Sequence, residues 1–123
     1  MAAEIYPGID LVSIQRIRTV ITSQHGERFL DRTYSPDEQT YCNSKGDPAM
    51  HFAGRFAAKE AIRKSVMGAG IKPLIPFKHI EVLPNDDGVP IVTIHHRLPT
   101  KYSCRVSISH DGDYATACAI FTL

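Results

Sequence analysis

Two carboxylates occupy positions that a folding chain ordinarily denies them. Asp10 interrupts the apolar run EIYPGIDLV between Ile9 and Leu11, where a strand disfavours Asp. Glu60 lies in GRFAAKEAIRK, whose Ala, Lys, Glu and Arg favour helix. At about 100° per residue, Phe52, Ala53, Phe56, Ala57 and Met67 gather on one side, and Glu60 projects into their midst. Lys64 follows one turn later at the edge. A carboxylate among apolar neighbours must be paired, hydrogen-bonded, protonated or bound to a cation. Local readings exist for both: an i,i+4 ion pair of Glu60 with Lys64, and Asp10 as a strand-end residue that helps cap the next helix. A shared reading also exists. A hard cation such as Mg²⁺ needs oxygen ligands, uses one or two protein carboxylates and completes its shell with phosphate and water. Lys64 would then face that phosphate.

His110 ends RVSISH, beside the turn DGD. It reads as a plain exposed imidazole or as a phosphate or proton-transfer partner. Ser107, Ser109, His110 and Asp111 are too close in sequence to form a hydrolase triad alone. The chain has no G-x-S-x-G, no phosphate-binding G-x-x-x-x-G-K-[ST] and no H-E-x-x-H. His95 and His96 are adjacent, hence badly placed to chelate together on a strand, and read as loop residues. Cys42, Cys104 and Cys118 show no C-x-x-C spacing. A disulfide framework and a structural zinc site are therefore not expected, and a reducing cytoplasm fits. Cys104 and Cys118 fall in apolar runs and are expected to pack as small hydrophobes.

The elements that position these residues are legible in outline. Ile5 to Val12 reads as a strand, and Ser13 as the N-cap of a helix carrying Ile14, Ile17, Val20 and Ile21, closed at Gly26. SPDEQTYC opens a second helix: Ser35 caps, Pro36 takes the first position, and Asp37 and Glu38 suit the dipole. A third helix is expected from Ala49 to Met67, stopped by GAG at Gly68–Gly70. HIEVL and PIVTI read as strands joined by the turn PNDDG. CRVSISH alternates, with Cys104, Val106 and Ile108 to one side, and YATACAIF returns after DGD. One strand, three helices and four strands predict an α+β fold with helices on a largely antiparallel sheet.

The 123 residues fit a single domain over 1–123, 43% hydrophobic and 22% charged. A net charge of +1 gives no whole-chain reason to expect nucleic acid or a membrane surface. No segment approaches the roughly 20 apolar residues that span a bilayer. The start MAAEIYPGID lacks the basic-then-apolar pattern of a secretory signal.

Together these segments resemble the holo-(acyl-carrier-protein) synthase family of small bacterial 4′-phosphopantetheinyl transferases, over nearly the whole chain. GIDLVSIQRI resembles the family's first motif, a strand-end Asp before a helix bearing an Arg. FAGRFAAKEAIRK followed by GAG resembles the second, and DDGVP and VSISHDGDYATA resemble the G-x-P turn and the S-x-S-H strand with its partner. The resemblance implies the 4′-phosphopantetheinyl transferase fold. It also implies transfer of the phosphopantetheine arm of coenzyme A to a serine hydroxyl of apo-acyl carrier protein, releasing adenosine 3′,5′-bisphosphate. By the same resemblance Asp10 and Glu60 hold Mg²⁺ with the coenzyme A diphosphate, and Lys64 neutralises charge on the phosphate in flight or the leaving group. The serine proton goes to a carboxylate or to a water held by Glu60 or the metal. Arg55 and His110 match positions near the coenzyme A phosphates, and Gly88 and Pro90 match the turn beside the adenine. Arg16, Arg28 and Phe29 match the surface that receives the carrier protein, where Arg suits an acidic partner. A homotrimer with active sites between subunits is implied as well. Two departures stand out: Val89 replaces the usual Lys of the G-x-P turn, and only Lys45 and His51 supply basic groups before the long helix. The competing expectation is a non-catalytic coenzyme A or nucleotide-binding module whose carboxylates form structural pairs.

Overall fold

The computed structural model describes residues 4–123. Strand β1 (Ile5–Ser13) sends Gly8 and Val12 inward with Asp10 half-buried between them, while Ile5, Ile9 and Leu11 face out. It pairs antiparallel with β5 (Tyr114–Thr122), which pairs antiparallel with β4 (Ser103–Asp111), in the order β1-β5-β4. Strands β2 (Ile80–Pro84) and β3 (Pro90–Ile94) form a separate antiparallel pair. The expected antiparallel α+β arrangement is thus present, divided into two sheets.

Helix α4 (Pro48–Gly68) lies across the three-stranded sheet. Small residues allow the close approach. Ala53, Ala57, Ala58 and Ala61 of α4 and Ala115, Ala117 and Ala119 of β5 are all buried. At the β1 crossing the limit is Gly8, where an added Cβ would stand 1.9 Å from the Ala61 carbonyl oxygen. Only glycine permits that contact, and it brings the C-terminal half of α4 onto β1 beside Asp10.

Four helices precede β2, where sequence periodicity gave three. Helix α1 (Ile14–Thr22) starts as expected, with Ser13 Oγ accepting from the Arg16 N–H at 3.2 Å. It ends before Gly26. The chain turns at Ser23–His25, the Gly26 N–H bonds to the Ser23 carbonyl, and Gly26 opens α2 (Gly26–Thr33). A glycine at the seam of two helices reads equally as the end of one or the start of the next. Helix α2 was also faint because only Phe29, Leu30, Thr33 and Gly26 turn inward. Helix α3 (Pro36–Asn43) carries a complete capping box between Ser35 and Glu38.

The box has a second use. Glu38 and Lys59 form a fully buried ion pair at 2.8 Å, both side chains 0% exposed. Lys59 also donates to the Phe77 and Ile80 carbonyls, while Glu38 accepts from the Ser35 and Val82 N–H groups. Arg55 Nε donates to the Val82 carbonyl at 3.3 Å. Three charged side chains therefore satisfy the free edge of β2 that no neighbouring strand covers. Burial pushes the Lys59 ammonium below its ordinary pKa, and Glu38 opposes the shift.

The packing expectation holds for Cys104, which lies against the core, and needs correction for Cys118. Cys118 faces outward from β5 and is exposed, and Cys104 is half-buried. Register decides this: Cys118 pairs with the outward Ile9 of β1, so the alternation of β5 puts Ala117 and Ala119 inside instead. Burial still pushes the Cys104 thiol up to about 11.

Candidate active site on helix α4

Asp10 from β1 and Lys64 from α4 meet directly. Lys64 Nζ donates to Asp10 Oδ1 at 3.0 Å and to the Ile9 carbonyl at 2.9 Å. The Asp10 side chain is 17% exposed and that of Lys64 is 52% exposed. The local i,i+4 pairing of Lys64 with Glu60 is therefore not what forms. The register set by Gly8 brings Asp10 and the Ile9 carbonyl to Lys64, and a carboxylate plus a carbonyl offers more acceptors than Glu60 alone. Glu60, half-buried one turn earlier on the same face, accepts no hydrogen bond among the described residues. Its surroundings also differ from the sequence reading. Phe52, Ala53 and Ala57 are buried, but Met67 is 55% exposed. The face is covered at its N-terminal end and open at its C-terminal end. Glu60 stands where cover gives way to solvent.

The remaining candidates divide between the two flanks of α4. Arg55 projects about 140° round the helix from Glu60, and about 180° from Lys64. It is 6% exposed, packed toward β2 with its guanidinium carbon 4.4 Å from the Tyr41 ring centre. His110, exposed near the end of β4, stands in the row Val12–Ala115–His110, two residues along the strands from the row that holds Asp10, Ala117 and Ile108. Gly88 lies in the β2–β3 turn and Pro90 opens β3. In that turn Asn85 Oδ1 accepts from the Asp87 and Val89 N–H groups, both at 2.9 Å, and Gly88 has φ +81°, a conformation suited to glycine. Thus Asp10 and Lys64 are in contact and Glu60 lies one turn from Lys64 on the same face of α4, whereas Arg55 lies across α4 from them.

Arg28 and Phe29 share a groove of about 520 Å³ with Val20, His25, Arg32, Thr33 and Phe77. Arg16 is exposed on α1 outside that lining. Phe29 packs at 6.1 Å from Phe56, which packs at 5.6 Å from Phe77, and Arg63 stacks 3.5 Å over Phe77. This aromatic row runs beside the exposed stripe of α4 that holds Glu60. Sequence reading did not find Arg32, Phe77 or Arg63, since their grouping depends on how α2 and the segment after α4 fold back together. It also passed over the buried pair Glu38–Lys59, although the S-x-x-E spacing of Ser35 and Glu38 was visible.

The family model described as the 4′-phosphopantetheinyl transferase superfamily matches residues 6–119. The chain belongs to the 4′-phosphopantetheinyl transferase superfamily. A holo-(acyl-carrier-protein) synthase of Protochlamydia amoebophila is 40% identical over 118 residues, covering 94% of this chain and 95% of that one. The apo-ACPS structure from Chronobacterium ammoiniagenes superposes with a TM-score of 0.84 at 28% identity, over 98% of both chains. The holo-(acyl-carrier-protein) synthase from Bacillus anthracis, in complex with CoA (3′,5′-ADP), gives a TM-score of 0.80 at 31% identity, again over 98% of each. This phosphopantetheinyl transferase is thus an enzyme of the holo-(acyl-carrier-protein) synthase type. Among its described residues, no helix is long and apolar enough to cross a membrane.

Proposed function

We propose that the enzyme transfers the 4′-phosphopantetheine group of coenzyme A to a serine hydroxyl of apo-acyl carrier protein in a Mg²⁺-dependent reaction. The observation that carries this reading is the contact of Asp10 with Lys64 where β1 crosses α4, one helical turn from Glu60. The serine oxygen forms a bond to the phosphorus that carries pantetheine, and the bond from that phosphorus to the bridging oxygen breaks. Adenosine 3′,5′-bisphosphate leaves with the bridging oxygen, and the serine proton passes to the Glu60 carboxylate or to a water bound there. Such transfers ask chiefly for positioning and charge neutralisation.

The donor set fits a hard cation. Glu60 has its oxygens unengaged, and Asp10 commits one oxygen to a lysine that a diphosphate can draw away. No group of three or more His, Cys, Asp or Glu suited to a metal occurs among the described residues. Mg²⁺ can be held by two carboxylates, with phosphate and water completing its shell. When bound, the ion supplies Lewis-acid stabilisation to the diphosphate oxygens. The chain's own share is distinct. Asp10 holds Lys64 extended along β1, so its ammonium stands ready for the phosphate. Phe56 fixes the turn of α4 that presents Glu60.

Two features support a homotrimer with shared sites. First, Ile5, Ile9 and Leu11 are 61%, 66% and 65% exposed at alternate positions of an edge strand, with Ile120 of β5 beside them. Such an apolar face is covered well by further copies of the same sheet. Second, Arg55 lies on the far flank of α4 from Glu60, so a donor spanning both groups meets them most directly across two chains. In this reading His110 and Arg55 receive the coenzyme A phosphates, and the adenine rests by Gly88 and Pro90. Arg16, Arg28 and Phe29 receive the carrier protein, whose acidic surface suits the arginines.

The test is release of adenosine 3′,5′-bisphosphate by Asp10→Asn and Glu60→Gln variants, with folding checked by circular dichroism. Both are expected to lose transfer by at least about a hundredfold, the scale of a lost electrostatic group in such a site. Wild-type rates in either variant would remove the assignment. Shared sites are tested by mixing an inactive Glu60→Gln chain with an Arg55→Ala chain. Partial recovery after subunit exchange is expected, and no recovery would place each site within one chain.

A further inference from the structure

Two cations flank Glu60 on the exposed stripe of α4, and the reaction as described uses one of them. At about 100° per residue, Lys64 lies about 40° to one side of Glu60 and Arg63 about 60° to the other. Lys64 is on the β1 side, paired with Asp10 at 3.0 Å, where the coenzyme A diphosphate is placed above. Arg63 is on the side of Phe56 and Phe77. Phe77 in turn lines the groove that holds Arg28 and Phe29, the surface assigned above to the carrier protein. Glu60 therefore stands between a donor side with Lys64 and an acceptor side with Arg63.

Arg63 is half-buried and held at two points. Its guanidinium carbon stands 3.5 Å from the Phe77 ring centre, and its Nε donates to the Ile75 carbonyl at 2.8 Å. The stack sets the plane of the guanidinium, and the hydrogen bond sets its rotation within that plane. Among the described residues its terminal nitrogens have no hydrogen-bond partner, and no ion pair includes Arg63. No side-chain nitrogen is both buried and unpaired among those residues, so the terminal nitrogens are open to solvent. Burial lowers the Arg63 pKa and the Glu60 carboxylate opposes the shift, but a guanidinium stays charged at any working pH. Both fixed contacts are open to a neutral side chain, so neither uses the charge. What remains is a planar fork of donors, ordered before any ligand arrives, in the geometry that takes a carboxylate at two points.

Resting on the transfer reading above, we propose that Arg63 is a specificity-determining residue for the acceptor, whose open fork takes a carboxylate of the acyl carrier protein and so sets the acceptor serine against Glu60. The occupant is a protein carboxylate and not a donor phosphate, because Arg63 lies across Glu60 from the Asp10–Lys64 pair. The groove beside it argues the same way. His25, Arg28 and Arg32 line it and no Asp or Glu does, which complements an acidic partner. Arg63 carries that positive surface from the groove to within three residues of Glu60, about 4.5 Å along the helix axis. Arg28 at the groove draws the carrier protein in. Arg63, rigid and next to the reacting groups, fixes where the docked partner stops. No covalent bond changes in this step.

The experiment measures kcat and KM for apo-acyl carrier protein and for coenzyme A in the wild type, Arg63→Gln and Arg63→Lys. Loss of a charge-assisted pair at a part-exposed site should raise KM for the carrier protein about three- to tenfold in Arg63→Gln, with KM for coenzyme A unmoved. Arg63→Lys should recover only part of this, since an ammonium neither stacks as a plate nor offers the fork. The ratio of variant to wild-type KM should shrink toward one at about 0.5 M salt. A role confined to holding the Ile75–Phe77 segment predicts instead a change that survives high salt, and that result would overturn the proposal. A second readout pairs each enzyme with carrier proteins in which single Asp or Glu residues are replaced by Asn or Gln. One such replacement should raise KM for the wild type by a similar factor and leave Arg63→Gln unaffected. An unchanged carrier-protein KM in Arg63→Gln, a raised KM for coenzyme A in its place, or full additivity with every carrier variant would also overturn it. No transfer by the wild type would refute the reading on which the proposal rests, whereas transfer with no carrier carboxylate coupled to Arg63 would refute the proposal alone.

Discussion

Removing the buried ammonium of Lys59 isolates what the side-chain network contributes. In Lys59→Met the aliphatic bulk is kept and the charge is lost. The Glu38 carboxylate, fully enclosed, then retains only the Ser35 and Val82 N–H donors, at 2.9 and 2.8 Å. The Phe77 and Ile80 carbonyls each lose a donor. Breaking a buried ion pair on one side costs about 3–5 kcal/mol, because a charge remains without its partner. At about 0.05–0.15 kcal/mol per residue, a chain of this length has roughly 6–18 kcal/mol in all. The loss is therefore a large share. With an unfolding entropy of about 2.1 cal/mol/K per residue, a loss of about 4 kcal/mol lowers Tm by about 15 °C. Urea unfolding at fixed protein concentration, which keeps association constant, measures the change. The double variant Lys59→Met with Glu38→Gln should lose less than Lys59→Met alone, since no buried charge is then stranded. A loss below about 1 kcal/mol in Lys59→Met would refute the reasoning. It would mean that water reaches Glu38, or that the β2 edge is held by something other than these side chains.

Other outcomes follow from the same structure. Gly8→Ala forces a Cβ to 1.9 Å from the Ala61 carbonyl, so α4 must lift from β1; a Tm loss of several degrees and a marked fall in transfer are expected, the first read by calorimetry. Arg28→Ala, on the rim of the groove with Phe29 and Phe77, should raise KM for the carrier protein several-fold and leave KM for coenzyme A unchanged, with the difference shrinking at high salt. Ile9→Lys, on the exposed apolar face of β1, should dissociate the proposed trimer in sedimentation experiments while each chain keeps its circular dichroism spectrum; an unchanged oligomer would remove this face from the proposed interface.

Much of the scaffold could be read directly from residue types, and the failures have physical causes. Ser13 and the Ser35-Pro36 pair carry their capping chemistry locally, so the starts of α1 and α3 were visible. The β2–β3 turn was visible because Asn85 and Gly88 specify it without distant help. The α1–α2 boundary was missed because Gly26 serves both helices, and α2 exposes most of its surface. The role of Lys64 depends on Gly8. A glycine in an apolar run says nothing by itself about which helix crosses it, so the local Glu60 pairing looked better than the long-range Asp10 pairing. Cys118 looked buried because its neighbours in sequence are apolar, yet strand parity turns it outward. The contact of Arg55 with the Tyr41 ring was invisible for a similar reason. Tyr41 projects from α3 and Arg55 from α4, and only the packing of α3 against α4 makes them neighbours.

The central claim is a chemical one, and the direct measurement is the intact mass of an apo-acyl carrier protein incubated with the enzyme, coenzyme A and Mg²⁺. The account predicts a mass gain equal to one phosphopantetheine group, located on a serine by peptide mapping. The gain should disappear when chelator replaces Mg²⁺ and when Glu60→Gln replaces the wild type. An unmodified carrier protein in the complete mixture, with an acceptor that another phosphopantetheinyl transferase modifies in parallel, would contradict the account.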